Sequence, residues 1–343
     1  LFKVRVDKAE YLRLAGECID RGYIGQGELV DRFEEELAKF LSVEPWQVVT
    51  VNSGTSAIQL ALSLLGVGWS DEVICSPMTC MADPHAIRAV GADVVWCDVD
   101  AMTGLAFPLS VKTVYAPFAK CALVTDLGGS IPPVEGWGMP IVQDAAQNFG
   151  GVMWGDIVCY SFQAIKTLTT GDGGCLILRD KALADRARLQ RWFGLDRTTS
   201  KDFRSEQNIT LPGFKFHMTD LDAAMGLANL PGTRAAMDAW KENARYYQRV
   251  LPVEVKIPWQ EGATYWTYMI LVEDRKGFMG FMAEKGIHTS PVQSIGTKHD
   301  LFPKVRLPGA EWYGARNVAI PSGWWVTEEE RSYIAECVME FLK

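Results

Sequence analysis

Short apolar runs alternate with stretches of helical spacing through the first two thirds of the chain, which is the pattern of an α/β fold. Strands are predicted at Val48–Val51, Glu72–Ser76, Asp93–Cys97, Val111–Tyr115, Ala122–Thr125, Pro140–Gln143, Ile157–Phe162 and Gly174–Leu178. Helices are predicted at Val30–Phe40, Ser56–Leu65, Pro84–Val90, Lys181–Arg191 and Thr219–Leu230. One helix start is informative. Asn52-Ser53-Gly54-Thr55-Ser56 sets small polar residues just after a strand, and Ala57-Ile58-Gln59-Leu60 continues at helical spacing. After Leu230 the character changes to a long polar helix (Ala235–Val250), an apolar strand (Thr267–Val272), a helix near Gly277–Lys285 and a terminal helix (Glu328–Phe341). The expected division is a larger domain over 1–230 and a smaller one over 231–343.

Composition narrows the class without naming the chemistry. The chain has 343 residues, 48% hydrophobic and 22% charged, which is ordinary globular usage for one large core or two domains sharing an interface. No run approaches the roughly 20 apolar residues of a membrane span, and Leu1–Asp7 lack the apolar core of a signal peptide. A cytoplasmic protein with no membrane partner is the expectation. A net charge of −8 gives no reason to expect nucleic acid. The eight cysteines form no C-x-x-C pair and several sit in apolar runs, so buried, reduced thiols are expected rather than disulfides or zinc. The spacing of the four histidines matches no metal site.

Three segments carry candidate chemistry, each with a plainer alternative. In Ser161-Phe162-Gln163-Ala164-Ile165-Lys166, a strand ends at Ser161 and a lysine follows among apolar neighbours, ahead of the turn Gly171-Asp172-Gly173-Gly174. Partial desolvation there would leave the Lys166 amine nucleophilic; a surface lysine beside a turn is the alternative. Ile141-Val142-Gln143-Asp144 ends an apolar strand in an aspartate, at the sheet edge where α/β folds bind ligands. Asp144 there could pair with a protonated ring nitrogen or cap the following turn. Ser53-Gly54-Thr55-Ser56 opens a helix, where free N–H groups and the helix dipole suit an anion or make a plain cap.

Phosphate grip, ring-nitrogen carboxylate and lysine, in that chain order, resemble the DegT/DnrJ/EryC1/StrS sugar aminotransferases. The resemblance runs nearly end to end: Ile24-Gly25-Gln26-Gly27 to Phe33-Glu34, Asn52–Ala57, Asp71–Ile74, Asp144–Gln147, Ser161-Phe162 with Lys166, Gly171–Gly174, Gly213–Asp220 and Ile320–Trp325. It implies an aspartate-aminotransferase-like fold that uses pyridoxal 5′-phosphate in a homodimer. The implied substrates are an amino-acid donor, L-glutamate, and a nucleotide-linked keto-sugar. Position by position, it implies that Lys166 forms the Schiff base and moves protons, and that Asp144 holds the pyridine nitrogen protonated. Gln147 would lie near the ring hydroxyl. Gly54, Thr55, Ser56 and Ser161 would hold the phosphate. Lys215, where relatives carry an asparagine, would reach the phosphate of the partner subunit.

The departures bear on the acceptor more than on the cofactor. Cys80 follows Thr79 where relatives have a ring-stacking aromatic, so either its thiol lies against the ring or stacking comes from elsewhere; a buried structural cysteine is the plain alternative. Thr125-Asp126-Leu127-Gly128-Gly129 replaces a histidine-containing loop, and Pro291-Val292-Gln293 stands where relatives have a substrate-contacting histidine. A sugar 3-dehydratase of the same family would carry histidine at Lys166. Two further rivals are the same cofactor acting on another acceptor and a non-enzymatic binding or regulatory descendant.

Overall fold

A computed structural model of the chain describes residues 1–198 and 205–343. A mixed seven-stranded sheet forms its centre, from β1 (Val48–Val51), β2 (Glu72–Cys75), β3 (Asp93–Trp96), β4 (Ala119–Thr125), β5 (Ile141–Asp144), β6 (Ile157–Ser161) and β7 (Gly174–Leu178). Their spatial order is β1-β7-β6-β5-β4-β2-β3. β7 runs antiparallel to both β1 and β6, and the remaining pairs are parallel.

The strands are apolar on both faces because helices cover both. Ile157 and Cys159 of β6 pack with α3 (Gly54–Leu64), α4 (Ala82–Ala89) and α6 (Lys181–Gln190), while Val158 and Tyr160 point the other way. That opposite face meets α1 (Lys8–Asp20), α2 (Glu28–Leu41) and α7 (Asp220–Asn229). Period-two alternation between two covered faces reads along the chain as a continuous apolar run. Beneath α2, Glu34 is buried with Arg191, and its Oε1 also accepts from Thr50 N at 2.9 Å and Thr50 Oγ1 at 2.7 Å.

One expected element is corrected and one helix was not expected. Val111–Tyr115 is not a strand. Pro108 opens the short helix α5 (Pro108–Thr113), whose Ser110 hydroxyl donates to the Phe107 carbonyl at 2.8 Å. Proline pre-sets the first helical turn and lacks only an N–H that would be unpaired there anyway. The valine-rich spacing that suggested β structure is the buried side of that turn, and the strand begins later, at Ala119. The helix over Lys8–Asp20 has no counterpart in the sequence reading, although Asp7 caps it by accepting from Glu10 N.

After α7 come α8 (Thr233–Val250), β8 (Tyr268–Leu271), α9 (Arg275–Glu284), α10 (Pro308–Arg316), β9 (Asn317–Ile320) and α11 (Glu328–Phe341). β8 and β9 pair antiparallel and share a separate apolar core with α8, α9 and α11. No helix among the described residues is long and apolar enough to cross a membrane.

Candidate active site

The candidate residues converge because their strands end at one edge of the sheet. β4 and β5 are parallel and in register, so Thr125 and Asp144 are direct neighbours at their carboxyl ends. β6 ends alongside at Ser161, opposite Gly174 of β7. Gly174 in turn pairs with Val51, from which the chain enters α3. In α/β sheets that edge is where ligands bind.

At α3, Ser53 is the N-cap. Its hydroxyl accepts from Ser56 N at 3.0 Å, and Ser56 Oγ donates to Asn52 Oδ1 at 2.7 Å. The helix supplies no acceptor to the N–H groups of its first residues, Gly54 and Thr55, and Thr55 faces solvent. Ser161 packs directly on this turn: a Cβ placed on Gly54 would meet Ser161 Cβ at 2.6 Å and Oγ at 3.0 Å. Glycine at this position therefore lets a second hydroxyl approach the positive end of α3, an arrangement suited to a phosphate.

Asp144 is buried and accepts from Ala146 N at 3.0 Å. Burial pushes its carboxyl above the usual carboxylate range, opposed by the Ala146 N–H, the Lys166 charge and contact with Asp83. Lys166 is half-buried on a loop tied down by Lys166 N to Gln163 O (2.8 Å) and Thr170 N to Phe162 O (2.9 Å). Desolvation lowers the pKa of its amine against the raising pull of Asp144. Favouring the neutral amine is what a nucleophilic lysine needs. Gln147 is buried and its Oε1 accepts from Gly128 N at 2.7 Å, which turns the donor end of the amide away from that loop.

Cys80 is exposed, unlike the other seven cysteines, so the buried structural reading of this thiol is wrong. It lies near enough to Asp83, Asp144 and Lys166 to feel their charges. Lys215 does not join the cluster of its own chain. Its Nζ lies 3.3 Å from the centroid of the Trp192 ring, although its backbone carbonyl accepts from Asn52 Nδ2 at 3.3 Å. His217 packs edge-on against the same Trp192, and burial with the Lys215 charge drives its imidazole down to about 4. Among the described residues, no cluster of three or more His, Cys, Asp or Glu could hold a metal ion.

Two contributors, Asp83 and Trp266, had no clear signature in the sequence, and a third, Val292, stood out there only as part of Pro291-Val292-Gln293. Asp83, wholly buried, touches Asp144. Trp266 lies against Lys166, with Nζ 4.3 Å from its ring centroid. Val292 adopts a left-handed backbone (φ 57°), unusual for a β-branched residue, beside Trp266 and Ile165.

The family model of the DegT/DnrJ/EryC1/StrS aminotransferases matches residues 6–339. The chain is 27% identical to the spore coat polysaccharide biosynthesis protein SpsC of Bacillus subtilis (strain 168), over 97% of this chain and 95% of that protein. It is 28% identical to the GDP-perosamine synthase of Escherichia coli O157:H7, over 95% and 93%. Its fold matches sugar aminotransferase CalS13 from Micromonospora echinospora with a TM-score of 0.93 at 28% identity, covering 99% of each chain. AtS13 from Actinomadura melliaura matches with a TM-score of 0.93 at 32% identity, over 99% of this chain and 98% of that one. The architecture is thus the aspartate-aminotransferase-like, fold type I arrangement, and the chain belongs to the DegT/DnrJ/EryC1/StrS aminotransferase family, an enzyme that transfers amino groups.

Proposed function

We propose that this aminotransferase uses pyridoxal 5′-phosphate to move an amino group from an amino acid, L-glutamate, to a nucleotide-linked keto-sugar. One observation carries the reading: a half-buried lysine amine, its pKa lowered by burial, lies near a buried aspartate at the sheet edge that also holds the open end of α3. The residues present fit the cofactor. Gly54, Thr55, Ser56 and Ser161 would hold its phosphate, Asp144 its ring nitrogen, Gln147 its ring hydroxyl and Lys166 its carbonyl carbon, with Cys80 beside the ring. Two relatives support the sugar acceptor by name, a GDP-perosamine synthase and a dTDP-4-dehydro-2,3,6-trideoxy-D-glucose 4-aminotransferase.

When bound, the cofactor supplies an electron-withdrawing ring that stabilises the charge left when a substrate carbon loses its proton. The chain's residues do the rest. Lys166 Nζ takes the proton from the α-carbon of the amino acid and, in the second half-reaction, delivers one to the sugar carbon. Asp144 keeps a proton on the ring nitrogen. The start of α3 and Ser161 hold the phosphate still, so Lys166 acts from a fixed position. Residues 1–230 would carry these groups and 231–343 the smaller domain that closes over them. In a cytoplasmic homodimer, Lys215 of the second copy would complete the phosphate site.

The test is the absorption spectrum of the purified protein with pyridoxal 5′-phosphate, before and after L-glutamate. A visible band that falls on adding glutamate and returns with a nucleotide keto-sugar supports the reading. A band indifferent to glutamate points to another donor. Lys166→Ala should abolish turnover in a folded protein; substantial activity in that variant would overturn the proposal.

A further inference from the structure

Behind Asp144 lies a second acid that the proposed reaction does not use. Asp83, in the first turn of α4, has no exposed surface. Its Oδ2 lies 2.6 Å from Thr79 Oγ1 and 2.8 Å from Thr125 Oγ1, and those two hydroxyls are 2.7 Å apart. The two hydroxyls bring only two protons to these three contacts, so when both point towards Oδ2 the contact between the hydroxyls carries none. Oδ1 is buried and no donor reaches it. The neighbouring polar group is Asp144: Thr125, which contacts Asp83, is the register neighbour of Asp144 across β4 and β5, and the two carboxyls lie close enough to interact.

Two carboxylates in contact within a dry site cannot both be ionised, so the pair holds a proton. The surroundings decide where it sits. Asp144 accepts the Ala146 N–H and faces Lys166, both of which favour its charged form. Asp83 has only neutral hydroxyls on one oxygen and nothing but Asp144 on the other. We propose that Asp83 is a positioning residue: a neutral carboxylic acid that donates its proton's hydrogen bond from Oδ1 to the Asp144 carboxylate. Burial, and then the Asp144 charge, raise the Asp83 pKa well above the ordinary range, in keeping with that assignment. The other titratable groups around it are Cys75 on β2, Cys159 on β6, Cys80 before α4 and Lys166. Burial keeps the Cys75 and Cys159 thiols neutral and the Cys80 pKa is raised as well, so none competes for the proton.

The consequence is a single negative charge at this edge, fixed in orientation and moderated in basicity by one donated hydrogen bond. The carboxyl pairing stands on the donorless, buried Oδ1 and on Thr125, which contacts Asp83 and neighbours Asp144; its effect on a bound cofactor rests on the proposed function, and the two are tested separately. In cofactor-free protein at neutral pH carrying Asp126→Asn, which removes the other buried carboxyl near that range, infrared spectroscopy should show the carbonyl stretch of a buried protonated carboxyl, lost on adding Asp83→Asn and retained, shifted, on adding Asp144→Asn. Absence of the band, or its loss in Asp144→Asn alone, would overturn the assignment. With pyridoxal 5′-phosphate, Asp83→Ala should move the pH midpoint of the visible band upward by about one unit, the scale of one charged hydrogen bond. Asp83→Asn, whose amide still donates to Asp144, should restore the wild-type midpoint. Equal midpoints in wild type and Asp83→Ala would reduce Asp83 to a structural role. Failure to bind cofactor at all would count against the proposed function while leaving the infrared result to decide the pairing.

Discussion

The amine nitrogen of Lys166 lies 4.3 Å from the centroid of the Trp266 ring, and the same indole donates from Nε1 to the carbonyl of Ile165 at 3.2 Å. Trp266 just precedes β8 and is stacked from behind by Phe2, with ring centroids 4.9 Å apart. One aromatic side chain thus fixes the backbone beside the reactive lysine and covers its amine. The two actions oppose each other electrostatically. The ring face attracts an ammonium, whereas excluding water disfavours it.

Burial is the largest influence on the Lys166 pKa, while a cation–π contact contributes about 0.5–2 kcal/mol. Exclusion of water should therefore win. Trp266→Ala is expected to raise the Lys166 pKa and slow its reaction with carbonyl compounds at neutral pH. The check is the pH dependence of borohydride-trapped labelling of Lys166 by an aromatic aldehyde. A downward shift would mean that the ring's attraction dominates.

Gly54 and Ser161 test the phosphate grip. Gly54 has no left-handed backbone, so alanine is excluded there by contact alone, with Ser161 Cβ 2.6 Å away. Gly54→Ala should cost about 1–3 kcal/mol of stability through overpacking and weaken phosphate-bearing ligands at least tenfold. Adding Ser161→Gly removes the two nearest atoms, leaving the Cα at 3.2 Å, and should recover part of the stability, while the missing hydroxyl keeps binding weak. Thermal unfolding and ligand titration of the two variants separate these effects.

Lys166, Asp144 and Ser53–Ser56 were legible in the sequence because each follows an apolar strand run, and parallel strands bring such ends to one edge. Asp83 was not, because an aspartate before Pro84 reads as an exposed helix cap; nothing local shows that Thr125, far along the chain, will cover it. Trp266 was hidden for a similar reason, since its contact with Lys166 joins segments about a hundred residues apart. Val111–Tyr115 was misread because apolar spacing over a few residues fits a short helix as well as a strand, and Pro108 decided the matter.

Asp126 should make stability depend on pH. It is buried and accepts from Gln143 Nε2 at 2.6 Å, Asn148 Nδ2 at 2.8 Å and Trp154 Nε1 at 3.1 Å. Burial outweighs those donors and pushes it up to about 7 from an ordinary 3.8. The folded state then holds a proton that the unfolded state releases, so this group's contribution is full below about pH 4 and is lost as pH rises through about 7. Asp126→Asn should flatten the difference in Tm across that window. It should also cost about 1–3 kcal/mol, because its amide nitrogen leaves one buried donor unmatched. Parallel pH dependences of wild type and variant would show that Asp126 stays ionised.

Cys80 reports on what lies against the cofactor ring. Seven of the eight thiols are buried, so native protein should take up one equivalent of alkylating reagent per chain, lost in Cys80→Ser, whereas unfolded protein takes up eight. Partial burial, and then the neighbouring carboxyl pair of Asp83 and Asp144 with its single negative charge, raise the Cys80 pKa above its ordinary value. Only the thiolate reacts, so labelling should be slow at neutral pH and accelerate into the alkaline range. Saturating pyridoxal 5′-phosphate decides the remaining question. Strong protection of Cys80 would place its thiol against the bound ring, in the position the missing aromatic leaves. An unchanged labelling rate in protein shown by its spectrum to be loaded would place ring stacking elsewhere and leave Cys80 at the mouth of the site.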